Sequence, residues 1–286
     1  MHQEARPPLE IQDRLKRGYE SVRDRFEAAL RAAQESQFDA DSIHAMRIAA
    51  RRWLAAIEVS QDGRSKVCRL WMHRLEKLRK ISNPIRDIDV MWGWMKSKDE
   101  PISKKWKRTR SRCLYQLERL LEEKFSTDRL QSQALDVEER TPFETRMLMG
   151  HRIYGSLGKF LQRGRMFFAD DTQMHRWRVS AKTLRYELEF VRDTFFTTED
   201  GYPVGPQNLP LFHHADQESF EEALTALVEI QQRLGKICDA KQRHRLLKME
   251  QEGVLIEEPR WLERRMLSVT HGTFSILATI HSNDLK

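Results

Sequence analysis

Two segments of this chain, SIHAMRIAARRWLAAIE (42–58) and QMHRWRVSAKTLRYELE (173–189), carry the same paired rows of side chains at helical spacing. In the first, Ile43, Met46, Ala50, Trp53 and Ile57 recur in steps of three and four; in the second, Met174, Trp177, Ala181, Leu184, Leu188 and Val191 do. Only a helix of 3.6 residues per turn brings such positions onto one line, so both segments must be helices with one buried seam. One residue behind each apolar line runs a basic one. His44, Arg47 and Arg51, with Arg52 beside them, form the first; His175, Arg178, Lys182 and Arg185 form the second. The cations therefore flank the buried seam, about 100° around the helix, and do not face open solvent.

No acidic residue occurs within 42–57 or 172–186, so neither row is neutralised along its own helix. Like charges four residues apart (Arg47/Arg51, Arg178/Lys182) cost roughly 0.2–0.5 kcal/mol per pair. An anionic ligand is the simplest agent to offset that cost. Caps at Asp41 or Ser42 and at Asp171 or Thr172 are expected to start the two helices. His44 and His175 then fall in the first turn, where unpaired N–H groups and the positive dipole end favour an anion.

The remaining sequence has the same periodicity. Helices are expected at about 8–37, 42–60, 65–82, 84–97, 101–125, 143–169, 172–196, 217–250 and 258–282, with no alternating strand pattern. Asn83-Pro84 is expected to break or kink the chain. Further breaks fall at Asp62-Gly63, Pro101, Thr141-Pro142 and the long loop 197–216, whose His213 and His214 read as solvent-exposed. A second pair of segments also matches: RLEKLRKISNPIRDIDV (74–90) and ALVEIQQRLGKICDAKQ (226–242), aligned on Arg86-Asp87 and Cys238-Asp239. The chain thus parses as an all-α protein of two four-helix bundles related by a pseudo-twofold axis, residues 1–141 and 142–286. The facing basic rows are expected to line a hollow on that axis.

Net charge of +7 over 286 residues makes polyanions the natural partners, be they nucleic acid, acidic headgroups or phosphate polymers. The N-terminal segment has no apolar core of a secretory signal, and no stretch approaches the roughly 20 apolar residues of a membrane span. Cys68, Cys113 and Cys238, odd in number and far apart, point to a reducing cytoplasm and away from a disulfide framework.

HAMRIAARRW (44–53), NPIRDIDV (83–90), HRWRVSAKTLRYELEF (175–190) and LGKICDA (234–240) resemble the CHAD domain, the conserved-histidine α-helical domain. The resemblance runs from about residue 9 to 282. Cys238, Lys241, Thr183 and Asn83-Pro84 depart from its pattern. It implies two four-helix bundles around a basic central cavity that binds inorganic polyphosphate, and residence on polyphosphate granules in the cytoplasm. On that reading His44, Arg47, Arg51, Arg52, His175, Arg178, Lys182 and Arg185 contact phosphate, with Lys77, Arg86, Arg152 and Lys159 contributing from other helices. No cofactor is implied. Arg86, Asp87 and Asp89 raise a phosphate-associated divalent cation as an alternative, but capping and pairing with Arg86 is the plainer reading.

Two other classes compete. A general nucleic-acid-binding helical protein would place its cations on an outward surface and show a reading motif, which this sequence does not. A phosphotransfer or hydrolytic enzyme would need a carboxylate cluster, a glycine-rich phosphate loop or metal-ligand spacing beside the histidines. The tract Lys104-Lys105-Trp106-Lys107-Arg108-Thr109-Arg110-Ser111-Arg112 reads as a solvated helix face that could extend an anion track.

Overall fold

A computed structural model describes residues 11–61, 65–99, 101–126, 130, 140–165, 171–195, 217–247 and 265–273. Seven helices and a helical stretch at 265–273 account for nearly all of them, and there is no strand among the described residues. The helices are α1 (Ile11–Glu35), α2 (Ala40–Ser60), α3 (Lys66–Lys96), α4 (Lys104–Lys124), α5 (Pro142–Arg165), α6 (Asp171–Phe195) and α7 (Gln217–Leu247). The chain divides into two compact units, Lys16–Glu138 and a second made of Met1–Leu15 with Glu139–Lys286, the boundary falling inside α1.

In the first unit α2 packs on α3 and α3 on α4. Phe26 of α1 lies 5.2 Å from Trp53 of α2, and Trp53 lies 4.8 Å from Trp71 of α3. Phe125, just past α4, closes the cluster against Phe26 and Trp71. Such tilted ring pairs are worth about 0.5–1.5 kcal/mol each beyond the area they bury. Tyr19 donates its phenol to the Ala56 carbonyl at 3.0 Å and shares a hydrogen bond with Ser60, so α1 and α2 are joined by polar contacts as well. The α1–α2 turn uses no glycine. Gln37 and Phe38 adopt φ of 53° and 59°, a conformation costing on the order of 1 kcal/mol or more per residue. Burial of the Phe38 ring and a hydrogen bond from Arg110 to the Phe38 carbonyl (3.0 Å) hold it there.

Pro84 does not end its helix. The expected break at Asn83-Pro84 is corrected by one continuous α3 with Pro84 inside it. Around the proline, Ser82 Oγ donates back to the Leu78 carbonyl at 2.8 Å, and the Arg47 guanidinium donates to the Ser82 carbonyl and to Asn83 Oδ1 (2.7 Å). Contacts from another helix thus supply polar partners at the site where proline disturbs the backbone ladder.

In the second unit α5 packs on α6 and α6 on α7, with Phe160 and Trp177 stacked at 5.8 Å. Thr141 caps α5 in a reciprocal box: the Glu144 N–H donates to Thr141 Oγ1, and the Thr141 N–H donates to Glu144 Oε2 at 2.9 Å. The Thr141 N–H, and after it the Thr141 hydroxyl donating to Glu144 Oε2 at 2.9 Å, hold the Glu144 carboxyl below its ordinary value. Pro142 takes the first helical position, where no amide donor is missed. The 265–273 stretch lies antiparallel on α7. Arg265 pairs with Glu229 at 2.8 Å, Ser268 bonds Glu222 at 2.8 Å, and Gly272 meets the Ser219 backbone.

Gly272 has no room for a methyl: a Cβ there would lie 2.1 Å from the Ser219 carbonyl oxygen. At Gly155 on α5 a Cβ meets nothing within 4 Å. Gly272→Ala is therefore expected to destabilise by about 1–3 kcal/mol through overpacking. Gly155→Ala is expected to stabilise by roughly 0.5–1 kcal/mol. Chemical denaturation of the two variants checks both signs.

Candidate functional site

The apolar lines fall where periodicity put them. Ile43, Met46, Ala50, Trp53 and Ile57 of α2 are all buried, as are Met174, Trp177, Ala181, Leu184, Leu188 and Val191 of α6. The basic rows are carried beside these seams, one in each unit. His44 and His175 are exposed, Arg51, Arg52, Arg178, Lys182 and Arg185 are half-buried, and Arg47 is buried.

The expected caps need correction. Asp39 caps α2, its carboxylate accepting from the Ser42 N–H at 2.7 Å, so Asp41 and Ser42 lie inside the helix. That bond, with the Ser42 hydroxyl, draws the Asp39 carboxyl below its ordinary value. Likewise α6 begins at Asp171. His44 and His175 are each the fifth residue of their helix, beyond the first turn with its unpaired amides. Neither histidine has the help of a helix N-terminus, and any anion contact must come from the imidazole itself.

Arg47 of the first row is a strongly perturbed cation. Burial comes first among the causes, followed by repulsion from Arg51, with Arg86 and Arg79 of α3 adding to it and Asp87 partly opposing. Its guanidinium is pushed down to about 10, still fully charged at neutral pH. Arg51, Arg86 and Arg79 repel it and Asp87 attracts it, so Arg47 sits in a cluster of arginines at the α2–α3 packing. Arg47 itself is held by the Ser82 carbonyl and Asn83.

Arg178 occupies the matching place in the second unit. A Cβ on Gly235 of α7 would lie 3.2 Å from Arg178 Nη2, so the guanidinium rests on bare backbone there. Asp239 Oδ1 stands 3.8 Å from Nη1, and Nε is buried with no hydrogen-bond partner among the described residues. When Asp87 and Asp239 are aligned, Asn83 and Gly235 coincide. Each unit therefore lodges the first arginine of its row against the residue four before an aspartate of the next packed helix. Sequence reading found Arg47, Arg178 and both aspartates. It missed Ser82, Asn83 and Gly235 as the surfaces that seat the guanidiniums, although the aligned segments contained them.

Further along α6, Arg185 pairs with Glu189 at 3.4 Å and lies over the Tyr186 ring at 4.6 Å. Arg86 is half-buried on α3, and Lys77 is exposed on the same helix. Arg152 and Lys159 are exposed on α5, and no ion pair joins them to the α6 row among the described residues. Asp89 is buried and bonded to Arg110 Nε at 2.7 Å, a partner other than the Arg86 pairing expected for this cluster. No group of metal-binding side chains occurs among the described residues. Cys68, Cys113 and Cys238 are free thiols. His213 and His214 lie outside the described residues, and no helix among those residues is long and apolar enough to cross a membrane.

If Arg47 pins α2 to α3 around Pro84, Arg47→Met removes both bonds and leaves the Ser82 carbonyl short of a donor. A loss of about 1–3 kcal/mol is expected, read as a lower denaturation midpoint. Arg51→Met, at a half-buried position, should shift the midpoint much less.

A comparison with curated proteins found no match. The CHAD domain family matches residues 20–202, which take in α2, α3, α4, α5 and α6 with both basic rows. This is narrower than the span from 9 to 282 over which the motifs were traced, and LGKICDA in α7 lies beyond it. On a match covering well over half of its length, the chain belongs to the CHAD domain family.

Proposed function

We propose that this protein binds inorganic polyphosphate without transforming it, through the two basic rows and their neighbours. The observation that carries the reading is the gathering of Arg51, Arg79 and Arg86 about buried Arg47, with Asp87 among them. Family membership supports it, since CHAD domains are known in general for polyphosphate binding. A chain of repeating phosphates offers a row of cations many anionic groups in succession, where a single phosphate offers one. Forked guanidinium donors suit bidentate phosphate contact, and Lys182 adds a compact charge. In this reading Arg51, Arg52, Arg86, Arg178, Lys182 and Arg185 contact the polymer and His44 and His175 add donors. Arg47 acts through the field it holds in place. The expected central cavity, the absence of a cofactor and residence on polyphosphate granules are parts of the same proposal.

Binding of this kind replaces mobile counterions with fixed cations, so affinity should fall steeply with salt. Arg51→Glu combined with Lys182→Glu is expected to weaken long-chain polyphosphate binding on the order of a hundredfold or more, with helix content retained. These positions are preferred to Arg47 and Arg178 because a carboxylate forced into the Arg47 site would unseat α3. The paired change Lys104→Glu and Arg108→Glu should cost polyphosphate far less. Equal losses would mean diffuse attraction and sink the reading, as would duplex DNA or duplex RNA binding as tightly per phosphate at physiological salt.

The histidines give a second test. Imidazolium is the better donor to phosphate, so affinity should rise as pH falls through the usual imidazole range near 6.5. His44→Ala with His175→Ala should flatten that dependence. An unchanged pH profile in the double variant would remove the histidines from the site.

A further inference from the structure

The first nine residues of α4, Lys104–Arg112, form the densest basic tract of the chain, and the polyphosphate reading does not use it. Lys104, Lys105, Lys107, Arg108 and Arg112 are all exposed. No ion pair joins any of them to a carboxylate among the described residues, whereas Arg119 further along pairs with Glu123 at 3.1 Å. At 100° per residue the five fall within one broad face. Tyr115 lies on the same side of the helix, one turn past Arg112, and is 61% exposed, the largest exposure of any tyrosine among the described residues. Acidic residues return only at Glu118, one turn beyond it.

The face is held firmly from behind. Arg110, on the inward side of the same turns, donates to Asp89 at 2.7 Å and to the Phe38 carbonyl at 3.0 Å. Cys113, Leu117, Leu120 and Leu121 bury the opposite side of the helix. Ser103 caps the start by accepting from the Trp106 N–H at 3.2 Å. The cations and the ring thus stand on a rigid element, with orientation fixed before any ligand arrives.

We infer that the exposed face of α4 is a binding surface for single-stranded nucleic acid, with Lys104, Lys105, Arg108 and Arg112 on the phosphates and Tyr115 stacked on a base. Charge complementarity alone would suit any polyanion; the tyrosine makes the choice. Inorganic polyphosphate has no ring to stack and gains nothing from an exposed phenol at the end of the cationic tract. A duplex keeps its base faces inside its own stack. An acidic membrane surface would call for apolar side chains to enter it, and this face presents none besides Tyr115. A single strand offers phosphates and open base faces together, and one base stacked on an aromatic side chain adds about 1–3 kcal/mol.

The test is fluorescence anisotropy of the full chain with a labelled single-stranded RNA of mixed sequence, at physiological salt. Tyr115→Ala is expected to weaken binding about tenfold, Tyr115→Phe to bind within about twofold of the parent because the ring is kept. With an abasic oligonucleotide of the same length the parent and Tyr115→Ala should bind alike. The triple variant Lys104→Ala, Arg108→Ala, Arg112→Ala should lose RNA binding and keep polyphosphate binding. Indifference of RNA binding to Tyr115→Ala overturns the inference. So does a triple variant that loses polyphosphate as much as RNA, or that fails to bind anionic vesicles while RNA binding persists. Arg51→Glu with Lys182→Glu separates the two readings. Retained RNA binding there, with polyphosphate lost, supports both, and RNA lost in parallel sinks only the α4 surface.

Discussion

Desolvation of a cationic row by the apolar seam beside it is the constraint from which the rest of this molecule follows. Because the basic line trails the apolar line by one residue, the packing that buries Trp53 and Met46 also draws Arg47 out of water. A buried guanidinium costs several kcal/mol unless its donors are satisfied. Arg47 meets that cost through the Ser82 carbonyl and Asn83. In doing so it becomes a strut across α2 and α3, and its charge, less screened than one in solvent, adds to Arg51, Arg79 and Arg86. On the polyphosphate reading proposed above, stability and ligand chemistry are set by the same side chain, and it cannot be altered for one without disturbing the other.

The seams were fully legible in the sequence, since eleven positions in steps of three and four admit only a helix with one buried side. What local rules missed lies where a distant residue intervenes. Pro84 should end a helix by its own chemistry, and α3 continues because Ser82 and Arg47 supply polar partners around it. The cap of α2 is Asp39, two residues before Asp41 and three before Ser42, because three capping-type residues stand close together and periodicity cannot choose among them. That small shift carries the histidine out of the first turn and changes what it can offer an anion.

Spacing also could not tell a ligand-facing cation from a structural one. Arg47 and Arg51 lie one turn apart on the same line, yet the first is buried, its guanidinium on Ser82 and Asn83 of α3, and the second is half-exposed. In the basic tract of α4, Arg110 turned inward to Asp89 while its neighbours stayed in solvent. A charge run read as one surface is in fact a face with an anchor behind it. Such distinctions belong to the packing of neighbouring helices, and one helix's sequence does not contain them.

The two units solve one problem in two ways. Where Arg47 meets Asn83, an amide oxygen accepts a bond and fixes the guanidinium; where Arg178 meets Gly235, there is only backbone, and the nearest carboxylate oxygen is 3.8 Å away. A buried donor left without a partner costs about 1–3 kcal/mol, and among the described residues Arg178 Nε has none. Glycine makes that arrangement possible, because a side chain at 235 would press on the guanidinium from below. Asp239, at a distance too long for a strong hydrogen bond, neutralises Arg178 only weakly. The second row therefore keeps its leading arginine charged and incompletely satisfied. Arg47, its counterpart in the aligned segments, is instead committed to the Ser82 carbonyl and Asn83, holding a proline-containing helix in place.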